Sequence, residues 1–207
     1  MSIKFEGFEY SEKFRCWEGD LKVKCSEGLF GQTELALKSM MDSQEPLTEA
    51  NYHALCYVRD HFDEIYETIL KTLFEWQTTG QEFEVFDKET YNFDPIVFES
   101  AEEIHPFLGK PVLEIVPDYE KEGQSYFCIN FFKDCLLSIE HGLTALCHKN
   151  EVIDIEASET ISMLELLCHF EKDCSLWKKD FWRVRFQLKD DIYREIEAGR
   201  KMWIGKK

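Results

Sequence analysis

The chain has 207 residues, 41 of them acidic against 24 basic, for a net charge of −17. A body this negative repels nucleic acid and anionic membrane and draws basic protein partners. Apolar residues at 44% and aromatics at 14% exclude a disordered chain, and the length suits a single core.

In chain order, the first residues (Met1-Ser2-Ile3-Lys4-Phe5-Glu6) lack the apolar stretch of a signal peptide. No window reaches the roughly 20 apolar residues that span a bilayer, so a cytoplasmic protein is expected. Its eight cysteines are then expected as reduced thiols, with Cys25 packed as a small hydrophobe. The first forty residues read as strands. Ile3-Lys4-Phe5 and Leu21-Lys22-Val23-Lys24-Cys25 alternate, Gly19-Asp20 and Gly28 to Gly31 punctuate, and Leu35 and Leu37 continue the period of two.

Pro46-Leu47-Thr48-Glu49 opens a long helix, about residues 48–76, with Thr48 as N-cap. Ala54, Leu55, Val58, Phe62, Ile65, Ile69, Leu70 and Leu73 keep a 3.6-residue period, and Asp60, Asp63, Glu64 and Glu67 mark the wet side. Residues 82–120 then hold 11 acidic and 2 basic residues. Within them Ser100-Ala101-Glu102-Glu103 has the form of a capping box for a short helix that Pro106 should end.

A second strand region follows at Val112 to Val116 and Tyr126 to Phe132. Leu143 to Cys147 and Val152 to Ile155, separated by Lys149-Asn150-Glu151, form a hairpin pattern. Ser162 to Glu165 and Asp190-Asp191 open two further helical segments. Strands, one long helix, more strands and then helices predict an α+β fold: an antiparallel sheet packed against the long helix, as a single domain.

The charge is divided unevenly. Residues 1–173 carry 36 acidic and 14 basic residues, and residues 174–207 carry 5 acidic and 10 basic. The segment 161–207 is therefore expected as a basic extension packed on the acidic body. Its run Trp177 to Phe186 interleaves basic and aromatic residues. That pattern suits nucleic acid in isolation, but the surrounding negative charge argues for internal packing.

Phosphate loops, the GxSxG elbow, HExxH and CxxC are all absent from the sequence. No cofactor, metal or catalytic residue is assigned. The densest polar cluster, Asp134 to His148, offers Glu140, His141 and His148 as a candidate polar site. Cys135 and Cys147 lie in the same stretch. Sulfur and imidazole suit zinc, and a cysteine beside His141 and Glu140 suits nucleophilic catalysis. Against both stands strand alternation, which sends Cys147 and His148 to opposite faces. His141-Gly142 also reads simply as a turn. Cys168, His169 and Cys174 form a looser group expected to be structural.

Two stretches carry a family resemblance. Phe14-Arg15-Cys16-Trp17-Glu18-Gly19-Asp20-Leu21 resembles the opening strands of a bacterial domain family of unknown function. Ile139-Glu140-His141-Gly142-Leu143 with Cys147 to Ile155 is similar to that family's later Glu-His-Gly-Leu hairpin. The resemblance covers about residues 10–160. Thr144 stands where the family has a second glycine, and residues 161–207 are additional. It implies no catalytic activity. It implies an immunity-protein-like role, since such relatives lie beside bacterial toxin genes. The expected partner is a basic toxin domain, such as a nuclease. The expected contact surface is the acidic segment, through Asp94, Glu99, Glu102 and Glu103, and the oligomeric state stays open.

Overall fold

The computed structural model describes residues 3–78, 98–132, 135–137 and 142–156. The helices expected after residue 160, the basic extension, Asp94, Asp134, Glu140 and His141 lie outside them. The fold is α+β: a seven-stranded, mostly antiparallel sheet packed against one long helix. The strands are β1 (Phe8–Ser11), β2 (Cys16–Lys24), β3 (Glu34–Met41), β4 (Val112–Lys121), β5 (Gln124–Phe131), β6 (Leu143–His148) and β7 (Glu151–Glu156). They lie side by side in chain order. A short helix α1 (Glu27–Phe30) separates β2 from β3. The long helix α2 (Glu49–Thr78) follows β3. A 3-10 turn (Glu102–Ile104) leads into α3 (His105–Leu108) before β4.

Only β3 and β4 pair in parallel, through Lys38–Met40 against Val112–Glu114. A parallel pair needs a crossover connection, and α2 supplies it. The apolar stripe read from the sequence is the buried face of α2, from Ala54 through Phe62 to Leu73, and Tyr66 joins it. Thr48 caps the helix as expected. Its hydroxyl accepts the Asn51 N–H at 3.2 Å, and the Asn51 side-chain carbonyl accepts the Thr48 N–H at 2.9 Å. Asparagine here takes the place of the usual Glu or Gln of a capping box. The Asn51 amide also donates to the Ser125 hydroxyl at 2.9 Å, which ties the helix start to β5. The stripe runs unbroken past a local departure from helical geometry at His61 (φ −128°, ψ 16°). Among the described residues no helix is long and apolar enough to cross a membrane.

Four expectations need correction. Ile3 to Phe5 is not a strand; Phe5 makes only an isolated bridge to Phe8. Gly19 does not punctuate a turn but lies inside β2, paired with both Phe8 and Ser39. A side chain there would collide with the Gly7 carbonyl, so glycine permits the β1 approach to pass close by. Ser100 is not the cap: the position belongs to Ala101, and it is the Glu103 carboxylate that reaches back to the Glu99 N–H at 2.7 Å. Pro106 does not end a helix but begins α3. Its missing N–H would have had no partner in the first turn anyway.

The hairpin of β6 and β7 turns through Lys149-Asn150, with Lys149 at φ 56°. A register shift between Leu146 and Cys147 leaves Ile153 as the extra residue. A second hairpin, β4 to β5, turns through Glu122 (φ 55°) and Gly123 (φ 72°). Two left-handed residues in succession match the type I′ geometry that suits the strand twist.

Gly19→Ala should lower stability by roughly 1–3 kcal/mol or more, since the obstacle is backbone and cannot repack. Thermal unfolding followed by circular dichroism checks this. An unchanged midpoint would mean that β1 moves aside freely.

Candidate functional site

Directly paired residues share a sheet face. On the helix side lie Leu21, Val23, Leu37, Leu113, Ile115, Phe127, Ile129, Ala145, Cys147 and Val152, all in the main core. On the other side one row runs Glu18, Met40, Glu114, Cys128, Leu146, Asp154. Its neighbour runs Asp20, Lys38, Val112, Asn130, Thr144. This second face divides into two parts. Toward β5 to β7 it is buried, with Val116, Tyr126, Cys128, Leu146 and Ile153 as a small apolar cluster. Toward β2 and β3 it is open and charged, with Glu18 and Asp20 beside Lys22, Lys24 and Lys38.

The open part holds a depression of about 810 Å³. Phe14, Glu18, Asp20, Lys38, Met40 and Asp42 line it, with Val112. Lys38 pairs with Asp20 at 3.1 Å. Phe14 projects from the β1–β2 turn, 60% exposed, with the Lys13 ammonium 4.7 Å over its ring. The neighbouring Arg15 takes φ 56° and donates to the Gln44 side chain at 2.8 Å. The hairpin tip is thereby tied to the segment just before α2.

The negative charge is felt beneath this surface. Burial pushes the Cys16 thiol up, and Glu18 and Asp42 push it further. Glu114, half-buried, is likewise held above the ordinary carboxylate range by burial and then by Asp42. The Asn130 amide, which donates to Glu114 at 2.8 Å, works in the other direction. The side-chain carbonyl oxygen of Asn130 is buried without a hydrogen-bond partner.

Of the residues singled out by sequence, Glu99, Glu102 and Glu103 are exposed around the 3-10 turn. Two of these carboxylates are engaged locally. Glu103 holds the Glu99 N–H, and Glu102 accepts from its own backbone and from the Ser100 hydroxyl, which lowers its pKa. His148 is buried on the second face, its ring 5.0 Å from that of Tyr126. Its Nε2–H donates to the Lys121 carbonyl at 3.0 Å, and burial holds the ring neutral by lowering its pKa. Cys147 lies fully buried on the helix face, its thiol donating toward the Ala145 carbonyl and pushed up by burial. The two side chains therefore cannot converge on one zinc ion, and Cys147 is withdrawn from nucleophilic work. Cys135 is buried too, in the main core. Among the described residues no group of three His, Cys, Asp or Glu side chains is placed to hold a metal ion.

A second histidine is engaged structurally. The Tyr66 hydroxyl donates to His105 Nδ1 at 2.8 Å, beside the Phe30 ring. Burial lowers the His105 pKa, opposed by a bond to the Leu29 backbone. Sequence reading missed the depression altogether. Its lining comes from residues 14–20, 38–42 and 112, and no local pattern joins them.

Comparison with protein-family models, curated proteins and solved structures finds no match to this chain.

Two measurements test these assignments. Glu114→Gln should keep or raise stability at neutral pH, because burial penalises the charged carboxylate and Gln still accepts from Asn130. Its advantage should shrink as pH falls and Glu114 itself takes up a proton. Glu114→Ala should instead cost roughly 1–3 kcal/mol by leaving the Asn130 amide unpaired. Denaturant unfolding at pH 7 that ranks Gln below Ala would refute the assignment.

The histidines set a second pH dependence. With folded pKa values below the ordinary 6.5, His105 and His148 bind protons more readily in the unfolded chain. Acid therefore favours unfolding, and their share of stability should fall as pH drops below 6.5. His148→Gln, which retains a donor for the Lys121 carbonyl, should flatten the decline in melting temperature between pH 7.5 and 5.5. An identical slope in both proteins would show that His148 does not contribute.

Proposed function

We propose that this chain is a binding protein for a basic protein domain, of the immunity or antitoxin kind, and that it neutralises a toxin by covering its positive surface. The observation that carries the reading is the excess of exposed carboxylate on the body of the molecule. The outer side of α2 presents Asp60, Glu64 and Glu67, the 3-10 turn presents Glu99, Glu102 and Glu103, and the sheet presents Glu18, Asp20 and Asp42. The cations that answer them form isolated surface pairs, such as Arg59 with Asp60 and Lys71 with Glu67. Exposed pairs of this kind leave the wider field uncancelled.

Nuclease toxins need a positive cleft for their substrate. An acidic protein occupies such a cleft with complementary potential, which speeds encounter and selects the partner. The resemblance of the 14–21 and 139–155 segments to an immunity-protein-like family agrees with this role. The same surface would serve a regulatory module whose basic partner is no toxin, and the test separates the two.

Tagged protein is used to capture partners from lysate of the native organism at about 50 and about 500 mM salt. The expected result is a basic protein released as salt rises. When expressed alone that protein should arrest growth, and co-expression of this chain should restore it. A basic, salt-sensitive partner without toxicity would favour the regulatory module. A neutral or acidic partner held equally at both salts would overturn the reading.

A further inference from the structure

Resting on the basic-partner reading above, we infer that the docking surface is the depression between Phe14 and Asp42 on the open sheet face, and that it receives an arginine or lysine side chain with an apolar neighbour.

Three observations converge on this surface. The first is shape and composition. A depression of about 810 Å³ is large enough for several side chains, and its lining mixes carboxylates with Met40, Val112 and an exposed aromatic ring. An apolar centre with a charged rim is the make-up of binding hot spots. The long basic side chains suit it, since their aliphatic stems cover apolar surface while the charged head meets a carboxylate.

The second is the charge balance within the lining. Lys38 is matched to Asp20. Glu18 and Asp42 form no ion pair among the described residues. They are free to meet a cation from outside, and their field already reaches Cys16 beneath them.

The third is the comparison with the other acidic surface. At the 3-10 turn Glu103 is bound to a backbone N–H and Glu102 to Ser100. A partner there must displace bonds that hold the turn together. At the depression Glu18 and Asp42 hold no such bond among the described residues. A phosphate-bearing ligand or an anionic lipid surface is repelled by the same carboxylates.

The experiment uses the full chain, labelled with nitrogen-15, and a blocked pentapeptide, Gly-Arg-Leu-Arg-Gly, at low salt. Amide shifts are expected at Glu18, Asp20, Met40 and Asp42. Affinity should fall about tenfold in a Glu18→Gln, Asp42→Asn double variant and be unchanged in Glu102→Gln, Glu103→Gln. Phe14→Ala should weaken the peptide and leave spermine, a cation without an apolar neighbour, unaffected. All these side chains are exposed, and the dispersion of each spectrum verifies the fold.

Shifts confined to residues 99–103 would overturn this surface while leaving the basic-partner reading intact. The same shifts and affinity from Gly-Glu-Leu-Glu-Gly, or no shift with the arginine peptide anywhere, would overturn both. Equal loss of peptide and spermine on Phe14→Ala would overturn the apolar part of the site.

Discussion

The burial of one helix face against the sheet is the constraint from which the other features follow. α2 touches strands of both halves of the sheet, β2 on one side and β4, β5 and β7 on the other. Its stripe of Leu55, Val58, Phe62, Ile65, Tyr66, Ile69 and Leu73 is fully enclosed. Each such side chain contributes on the order of 1.5–3 kcal/mol when taken from water. Position along the sheet is set by direction-dependent contacts rather than by apolar area. Asn51 bonds Ser125, His53 bonds the Gly123 carbonyl at 2.9 Å, and Tyr66 bonds His105. The first two fasten the helix start to the β4–β5 hairpin, and the third fastens its middle to the segment that leads into β4.

With one face of the sheet occupied in this way, the other face is free to differ along its width. Toward β5 and β6 every residue is buried on both sides, which fits their near-continuous apolar sequences. Toward β2 and β3 the alternation is sharp, Leu21 and Val23 inward against Asp20, Lys22 and Lys24 outward. Glu114 and Asn130 sit on the border between the two regions. A carboxylate there is dry enough to resist ionisation and still close enough to Asp42 to feel its charge.

What was legible in the sequence is what repeats locally. The helix is read from a period carried over eight apolar positions, and the β6–β7 hairpin from two runs about a short polar turn. Alternation alone separated Cys147 from His148, and the structure places them on opposite faces. The failures share a cause. Gly19 looks like a turn residue until the backbone of Gly7 is seen against it. Pro106 looks like a stop until the 3-10 turn before it is known, because the same ring that breaks a helix interior suits its first turn. The β4–β5 hairpin was hidden because Asp118 to Glu122 reads as a loop rather than as strand. The depression was hidden more deeply, since Asp20, Lys38 and Val112 meet only through strand register.

The order of strands also bears on how the chain folds. Because neighbours in space are neighbours in sequence, the sheet consists of two meanders, 8–41 and 112–156, each assembled from local contacts. Local contacts form quickly, and the costly closure is the long loop that brings the meanders together. Only three residue pairs make that seam, Lys38 to Met40 against Val112 to Glu114. It is thinly hydrogen-bonded for a join in the middle of a sheet, and α2 acts as the brace across it. Lys38 and Met40 from one meander and Val112 from the other stand in the lining of the depression. A ligand seated there would staple the seam from the side that the helix does not reach.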